Sequence, residues 1–104
     1  MENSYKGGVS VTLPPSDIRL EILGFAAAME RTMRKHDPEK GESWMYCDLE
    51  FLINKLKEEF EEVITSIDGE QSPKISKNTI DELVDLANIA MMLRYRGIFS
   101  GALA

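Results

Sequence analysis

The sequence has little that would suit a disulfide-bonded, membrane-spanning or nucleic-acid-binding protein. Its single cysteine, Cys47, excludes an internal disulfide bond, and no run of about 20 apolar residues is present to cross a bilayer. The 12 basic residues are outnumbered by 18 acidic ones, and the net charge of -6 disfavours broad binding to a phosphate backbone. No signal-peptide pattern is present either. We therefore expect a soluble, cytoplasmic protein that binds neither nucleic acid polymers nor membranes.

Strand patterns are also lacking, and this determines the predicted fold class. Apolar residues recur at steps of three and four along most of the chain, which is the spacing of an α-helix. A chain of 104 residues is long enough for one domain, but it buries only about two-thirds of its unfolded surface. We predict an all-α, antiparallel helical bundle of three main helices plus short helical segments. We expect its core to be completed by oligomerisation, as a homodimer or homotetramer.

The predicted helices span about residues 16–34, 45–67 and 78–96. Ser16 can cap the first helix after two prolines, and a polar loop that contains His36, Pro38 and Gly41 should follow it. Gly97 is the predicted stop signal of the third helix. These limits place a helical domain at 16–97, between tails at 1–15 and 98–104.

Two pairs of carboxylates lie on separate predicted helices: Glu59 with Glu62, and Glu82 with Asp85. Residues three apart share a helix face, where like charges repel by roughly 0.2–0.5 kcal/mol. The third helix is apolar nearly all round and is expected to be buried, where an uncompensated charge is costly. We predict that these four carboxylates line a cavity and bind Mg²⁺, or Mn²⁺ in its place, because oxygen ligands select hard cations. Such ions commonly bridge to substrate phosphates.

The flank of the second helix that carries Glu59 also carries Phe51 and Lys55. An aromatic ring, a cation and an acid together suit a ligand better than bulk water, so Lys55 is a candidate substrate-binding residue. A solvated face of glutamates and lysines is the simpler interpretation of such a helix. We keep that interpretation for Glu58 and Glu61, which point to the far side.

The segments that carry the acids resemble a known family. Residues 56–63, with Glu59 and Glu62, and residues 81–88, with Glu82 and Asp85, resemble the paired E-x-x-E and E-x-x-D signature of MazG-type nucleotide pyrophosphohydrolases. The resemblance covers about residues 18–96. It implies an all-α fold related to dimeric dUTPases, and hydrolysis of a nucleoside triphosphate to the monophosphate and pyrophosphate. Phosphoribosyl-ATP pyrophosphohydrolase is a close variant within the same chemistry.

The resemblance also implies roles for individual residues. The four acids would hold Mg²⁺ against the phosphates and take part in catalysis, and Asn88 would touch the substrate. Lys40 would contact the phosphates and Trp44 would stack on the base, with core packing an equal alternative for Trp44. We assign no role to His36 or Cys47. A noncatalytic helical module with the same fold, which oligomerises or binds a partner protein, is the alternative function.

Overall fold

The computed structural model describes residues 13–70 and 74–99, and these ranges contain helices and no β-strand. The helices are α1 (Leu20–Lys40), α2 (Leu49–Asp68) and α3 (Lys77–Phe99), with 3-10 turns at Pro15–Asp17 and Ser43–Met45. The all-α prediction with three main helices and short helical segments is therefore confirmed. None of the three helices is at once long and apolar enough to cross a membrane. Most of both predicted tails lies outside the described residues.

The start of α1 differs from the prediction of a helix that begins at Ser16. Pro15 instead opens a 3-10 turn, because its fixed φ suits a first helical position and its missing N–H is not needed there. The backbone N–H of Ile18 closes this turn on the carbonyl of Pro15 at 3.1 Å. The chain then becomes extended, and α1 begins at Leu20.

The end of α1 also differs, because the helix runs six residues beyond the predicted end and contains Pro38. A proline in a helix removes one hydrogen bond and crowds the carbonyl four residues earlier. Pro38 lies in the last turn, where Gly41 still donates its N–H to the carbonyl of Asp37 at 2.9 Å. Gly41 has a φ of 52°, which favours glycine and ends the helix. The predicted loop position of His36 is therefore wrong, since His36 lies on α1.

Helix α3 begins and ends slightly outside its predicted limits. Ser76 caps its start, because the Ser76 hydroxyl accepts a hydrogen bond from the backbone N–H of Thr79 at 3.2 Å. At the other end α3 continues through Gly97 to Phe99, so the predicted stop is wrong. The rings of Tyr95 and Phe99 pack across this glycine with their centres 4.8 Å apart. Such packing can offset the low helix propensity of glycine, which costs about 1 kcal/mol relative to alanine.

The core of the single chain is small and lies where α3 packs against α2, with α1 packed on α3. Leu52, Val63 and Val84 are its buried apolar residues among those described. The prediction that α3 is buried nearly all round is wrong for the single chain, because Ile80 is 50% exposed and Leu83 is 37% exposed. The other two helices cannot cover every side of α3, so one side of α3 faces solvent.

A polar cluster joins the end of α2 to the start of α3. At its centre, the Thr79 side chain is fully buried and donates a hydrogen bond to Glu70 Oε2 at 2.6 Å. Thr79 also bonds to the Ser66 hydroxyl, and it accepts a bond from the Ser76 hydroxyl at 3.2 Å. Glu70 Oε2 accepts the backbone N–H of Ser76 at 3.1 Å as well. The cluster holds α2 and α3 together at this end and so fixes how their acids face each other.

Candidate metal and substrate site

Carboxylates from α2 and α3 lie close together in the structure. Glu59, Glu82 and Asp85 each place one oxygen so that the three oxygens lie within 4.8 Å of one another. Each of these side chains is partly buried. Because Glu59 lies on α2 and the other two on α3, the packing of these helices assembles the group. We call these three residues the acidic triad.

Glu62, the fourth predicted acid, lies at the rim of the triad. Its side chain is exposed, and a side-chain hydrogen bond joins it to Glu82. This contact places a fourth carboxyl group beside the triad.

Two oxygens of the triad have unsatisfied hydrogen-bonding capacity. Glu59 Oε1 and Glu82 Oε1 are buried, and neither has a hydrogen-bond partner within residues 13–70 and 74–99. Buried polar atoms are nearly always satisfied in folded proteins, so an exception calls for an explanation such as a bound ion. Oxygen ligands brought together without internal partners fit a hard divalent cation.

The pKa of every triad carboxyl is raised, and burial is the largest cause in each case. For Glu59, the charges of Glu62 and Asp85 raise the pKa further. For Glu82, the hydrogen bond and the charge of Glu62 come next, followed by the charge of Asp85. For Asp85, the charge of His36 opposes burial, and Glu62 adds to it. The site thus disfavours additional negative charge and favours a bound cation.

A cavity of about 530 Å³ opens beside the triad. Of the eight predicted site residues, Glu59 and Asp85 line it, as do Lys40, Trp44, Lys55 and Asn88. Glu62 and Glu82 are not among its lining residues. The walls come from all three helices and from the 3-10 turn at Ser43–Met45. The structure therefore brings together side chains that are up to 60 positions apart in the sequence, from Thr32 on α1 to Met92 on α3.

The two predicted lysines lie on different walls of this cavity. Lys55 on α2 acts on Glu59, since its charge lowers the pKa of that carboxyl against the stronger effect of burial. It also contacts Glu58 Oε1 at 3.5 Å, an exposed ion pair that contributes little stability. Lys40 ends α1 and is exposed. Both ammonium groups can therefore reach an anion in the cavity.

Trp44 and Asn88 lie between this cavity and a second one of about 620 Å³, which they also line. Asn88 is 4% exposed, and its Nδ2 donates to the carbonyl of Met29 at 3.2 Å. Asn88 Oδ1 and Trp44 Nε1 are buried without a hydrogen-bond partner in the described part of the chain. One acceptor and one donor are thus available to a ligand.

Two residues of α3 hold Trp44 in place. Its ring meets Tyr95 edge-on with the ring centres 5.5 Å apart, and its carbonyl accepts a hydrogen bond from Arg96 Nη1 at 2.9 Å. Arg96 Nη1 also approaches Cys47 Sγ at 3.9 Å. The turn that carries Trp44 is therefore fixed against α3, which gives the cavity a rigid wall.

Thr32 and His36 also line the cavity, and the sequence analysis did not identify them as site residues. They precede Lys40 by eight and four residues, so the three side chains form one row on α1. This spacing would have revealed them if the helix had been predicted to continue through Pro38. No protein-family model, curated protein or solved structure matches this chain.

Proposed function

We propose that the protein is a Mg²⁺-dependent nucleoside triphosphate pyrophosphohydrolase of the MazG type, acting on a deoxynucleoside or noncanonical triphosphate. The observation that carries this proposal is the acidic triad, whose oxygens lie within 4.8 Å of one another and include two buried oxygens without partners among the described residues. The sequence resemblance to the family, which rests on the same acids, agrees with it.

Glu59, Glu82 and Asp85 would hold the metal, with Glu62 beside them. Their carboxylate oxygens are the donor type that Mg²⁺ and Mn²⁺ select. When bound, such an ion neutralises charge on phosphoryl oxygens and lowers the pKa of a coordinated water.

The chain's own residues supply positioning and proton transfer. The raised pKa of Glu59, caused by burial first and then by Glu62 and Asp85, makes this carboxylate a stronger base for an attacking water. Lys40 and Lys55 would hold the phosphates in the cavity. Trp44 would stack on the base, and Asn88 would hydrogen-bond the nucleoside through its free Oδ1.

The test is pyrophosphate release from a panel of canonical and modified nucleoside triphosphates and phosphoribosyl-ATP, with Mg²⁺ and with EDTA. We expect metal-dependent release from one or a few of them. Glu59→Gln should reduce the rate by about 100-fold or more, as loss of a general base does. Glu62→Gln, Glu82→Gln and Asp85→Asn should also reduce it.

Glu61→Gln is the matched control for these variants, because Glu61 is exposed and does not perturb any triad carboxyl. It makes the same change in net charge and should retain wild-type activity. Wild-type rates in all four site variants, with each protein folded, would refute the site assignment.

We further propose that two chains pair in an antiparallel bundle, as a homodimer. An apolar groove of about 660 Å³, lined by residues such as Phe25, Phe60 and Leu83, crosses all three helices. Exposed apolar residues that line this groove, or that lie three or four residues from a lining residue on the same helix, leave uncovered on the order of 500 Å². This area matches the apolar share of a standard half-interface of about 800 Å². The residues are Ile22 (55% exposed), Phe25 (45%), Phe60 (51%), Ile64 (37%), Ile80 (50%) and Leu83 (37%).

The same groove favours the second candidate function, a noncatalytic module that only self-associates or binds a partner protein. The two functions differ in their response to metal. An ion that binds the folded form alone raises the melting temperature by mass action. A dimer that shows neither this rise nor pyrophosphate release would support the module.

A further inference from the structure

We infer that His36 is a further substrate-binding residue, which contacts the phosphate chain beside the acidic triad. This inference rests on the proposed function and adds a residue to that same site. His36 lies on α1, is exposed, and lines the cavity with Glu59, Asp85 and both lysines.

The charge of His36 acts on the triad, in agreement with its place in the cavity wall. Burial raises the pKa of Asp85, and among the neighbouring charges that of His36 is the strongest influence and lowers it. The geometric basis is that His36 and Asp85 both line this cavity. On the opposite wall, Lys55 has the same relation to Glu59, where its charge lowers the carboxyl pKa. Each cavity-lining acid of the triad thus has a cationic or potentially cationic neighbour that also lines the cavity.

The row on α1 extends this arrangement away from the triad. His36 and Lys40 are four residues apart, so they lie one turn from each other on the same face. Thr32, one turn earlier, adds a hydroxyl donor to the row. A polyanion that contacts a cation at the triad would meet the donors of this row along the α1 wall. A polyphosphate has the charge and the regularly spaced oxygens to use all of them.

The two lysines alone give the cavity little positive charge for such a ligand. The four acids at and beside the triad already demand compensation by a metal. A bound triphosphate brings further negative charge into the same space, which Lys40 and Lys55 must share. The site therefore needs an additional N–H donor near Asp85, and His36 supplies it.

The experiment uses inorganic triphosphate as a competitive inhibitor of the active full-length protein, because it carries the phosphate contacts without the nucleoside. His36→Ala should weaken inhibition about tenfold, the effect of one lost hydrogen bond to a charged group. It should raise KM for the nucleotide in the same proportion and change kcat little. His36→Lys restores a cation on the same helix and should recover most of the inhibition. Ala and Lys are both strong helix formers, so each variant should fold.

Lys35→Ala is the matched control. Lys35 also lowers the pKa of Asp85, against the larger effect of burial, yet it is not a cavity-lining residue. It should leave inhibition and KM unchanged. If Lys35→Ala and His36→Ala had equal effects, the loss of positive charge near Asp85 would explain both, and the inference of a direct contact would be overturned. Unchanged inhibition in His36→Ala would overturn it as well. Absence of pyrophosphate release by the wild-type protein is a separate outcome, which would refute the proposed function itself.

Discussion

Glu82→Gln should stabilise the metal-free protein while it abolishes the response to Mg²⁺. One oxygen of Glu82 is buried without a partner in the described ranges, and oxygens of Glu59 and Asp85 lie within 4.8 Å of a Glu82 oxygen. Two unit charges at that separation repel by about 1 kcal/mol in water and about 3 kcal/mol at an effective dielectric constant of 20. Glu82 is only partly buried, so we expect a gain near the lower value.

The side chain introduced by Glu82→Gln has nearly the same shape, carries no charge, and can donate a hydrogen bond from its amide to Glu62. A gain of about 1 kcal/mol corresponds to a rise of about 4–8 °C in Tm for a domain of this size. Thermal unfolding followed by circular dichroism, at a fixed protein concentration and without metal, measures this rise.

The pH dependence of the gain gives a second readout. Burial, Glu62 and Asp85 raise the pKa of Glu82 in the folded protein above its ordinary value of 4.5. The folded state therefore binds the Glu82 proton more tightly than the unfolded chain does, and this binding stabilises the folded wild type at low pH. The stabilisation is lost as the pH rises from 4.5 through the raised pKa. The Tm difference between the variant and the wild type should be largest near pH 7.5 and should shrink toward pH 4.5.

Mg²⁺ should reverse the order of stability. At a concentration 100 times the dissociation constant, a ligand that binds only the folded form adds about 2.7 kcal/mol. The wild type should gain this stability and Glu82→Gln, which lacks one ligand, should not. Glu61→Gln is the control with the same charge change outside the triad. A variant that melts no higher than this control without metal, or that responds to Mg²⁺ as the wild type does, would refute the reasoning.

Three further predictions concern the connection between α2 and α3 and the apolar groove. Thr79→Val should lower the free energy of unfolding in urea by about 1–3 kcal/mol, because it removes the hydrogen bonds of a fully buried hydroxyl, one of them to a carboxylate. Thr65→Val, at an exposed position, should change it little. Glu70 has a lowered pKa, chiefly through its hydrogen bond from Thr79, so its stabilisation holds above pH 4.5 and should disappear as the pH falls through the lower folded value. Acid titration of Tm should show this loss in the wild type and not in Glu70→Gln. Phe60→Asp should give a monomer in sedimentation velocity, and the exposed Tyr46→Asp outside the groove should remain a dimer.

Helical periodicity carried the prediction of the acids only part of the way. A spacing of three residues turns the second side chain by about 60° from the first, so both members of a pair share a face without pointing in the same direction. Glu59 turns inward and joins the triad, whereas Glu62 remains exposed at its rim. The angle at which α2 meets α3 decides which acid turns inward. That angle depends on contacts between the two helices, such as the bond of the buried Thr79 to Ser66, which no local pattern encodes.

Two predicted helix ends were wrong because a residue that usually ends a helix was accommodated inside one. Pro38 and Gly97 usually end helices, yet α1 and α3 run past them. The contact of Tyr95 with Phe99 spans the glycine. Because α1 was predicted to end before Pro38, His36 was predicted in a loop although it lines the cavity on α1.

The apolar groove and the acidic triad lie on different sides of α3. Self-association and metal binding can therefore be tested separately. Leu83 borders the apolar groove and Asp85 belongs to the triad, and two residues turn a helix by about 200°. A second copy can therefore cover the groove without closing the cavity. It follows that Phe60→Asp, once monomeric, should keep a Mg²⁺-dependent rise in Tm. Loss of that rise in a folded Phe60→Asp monomer would mean that the triad requires the second chain for its geometry.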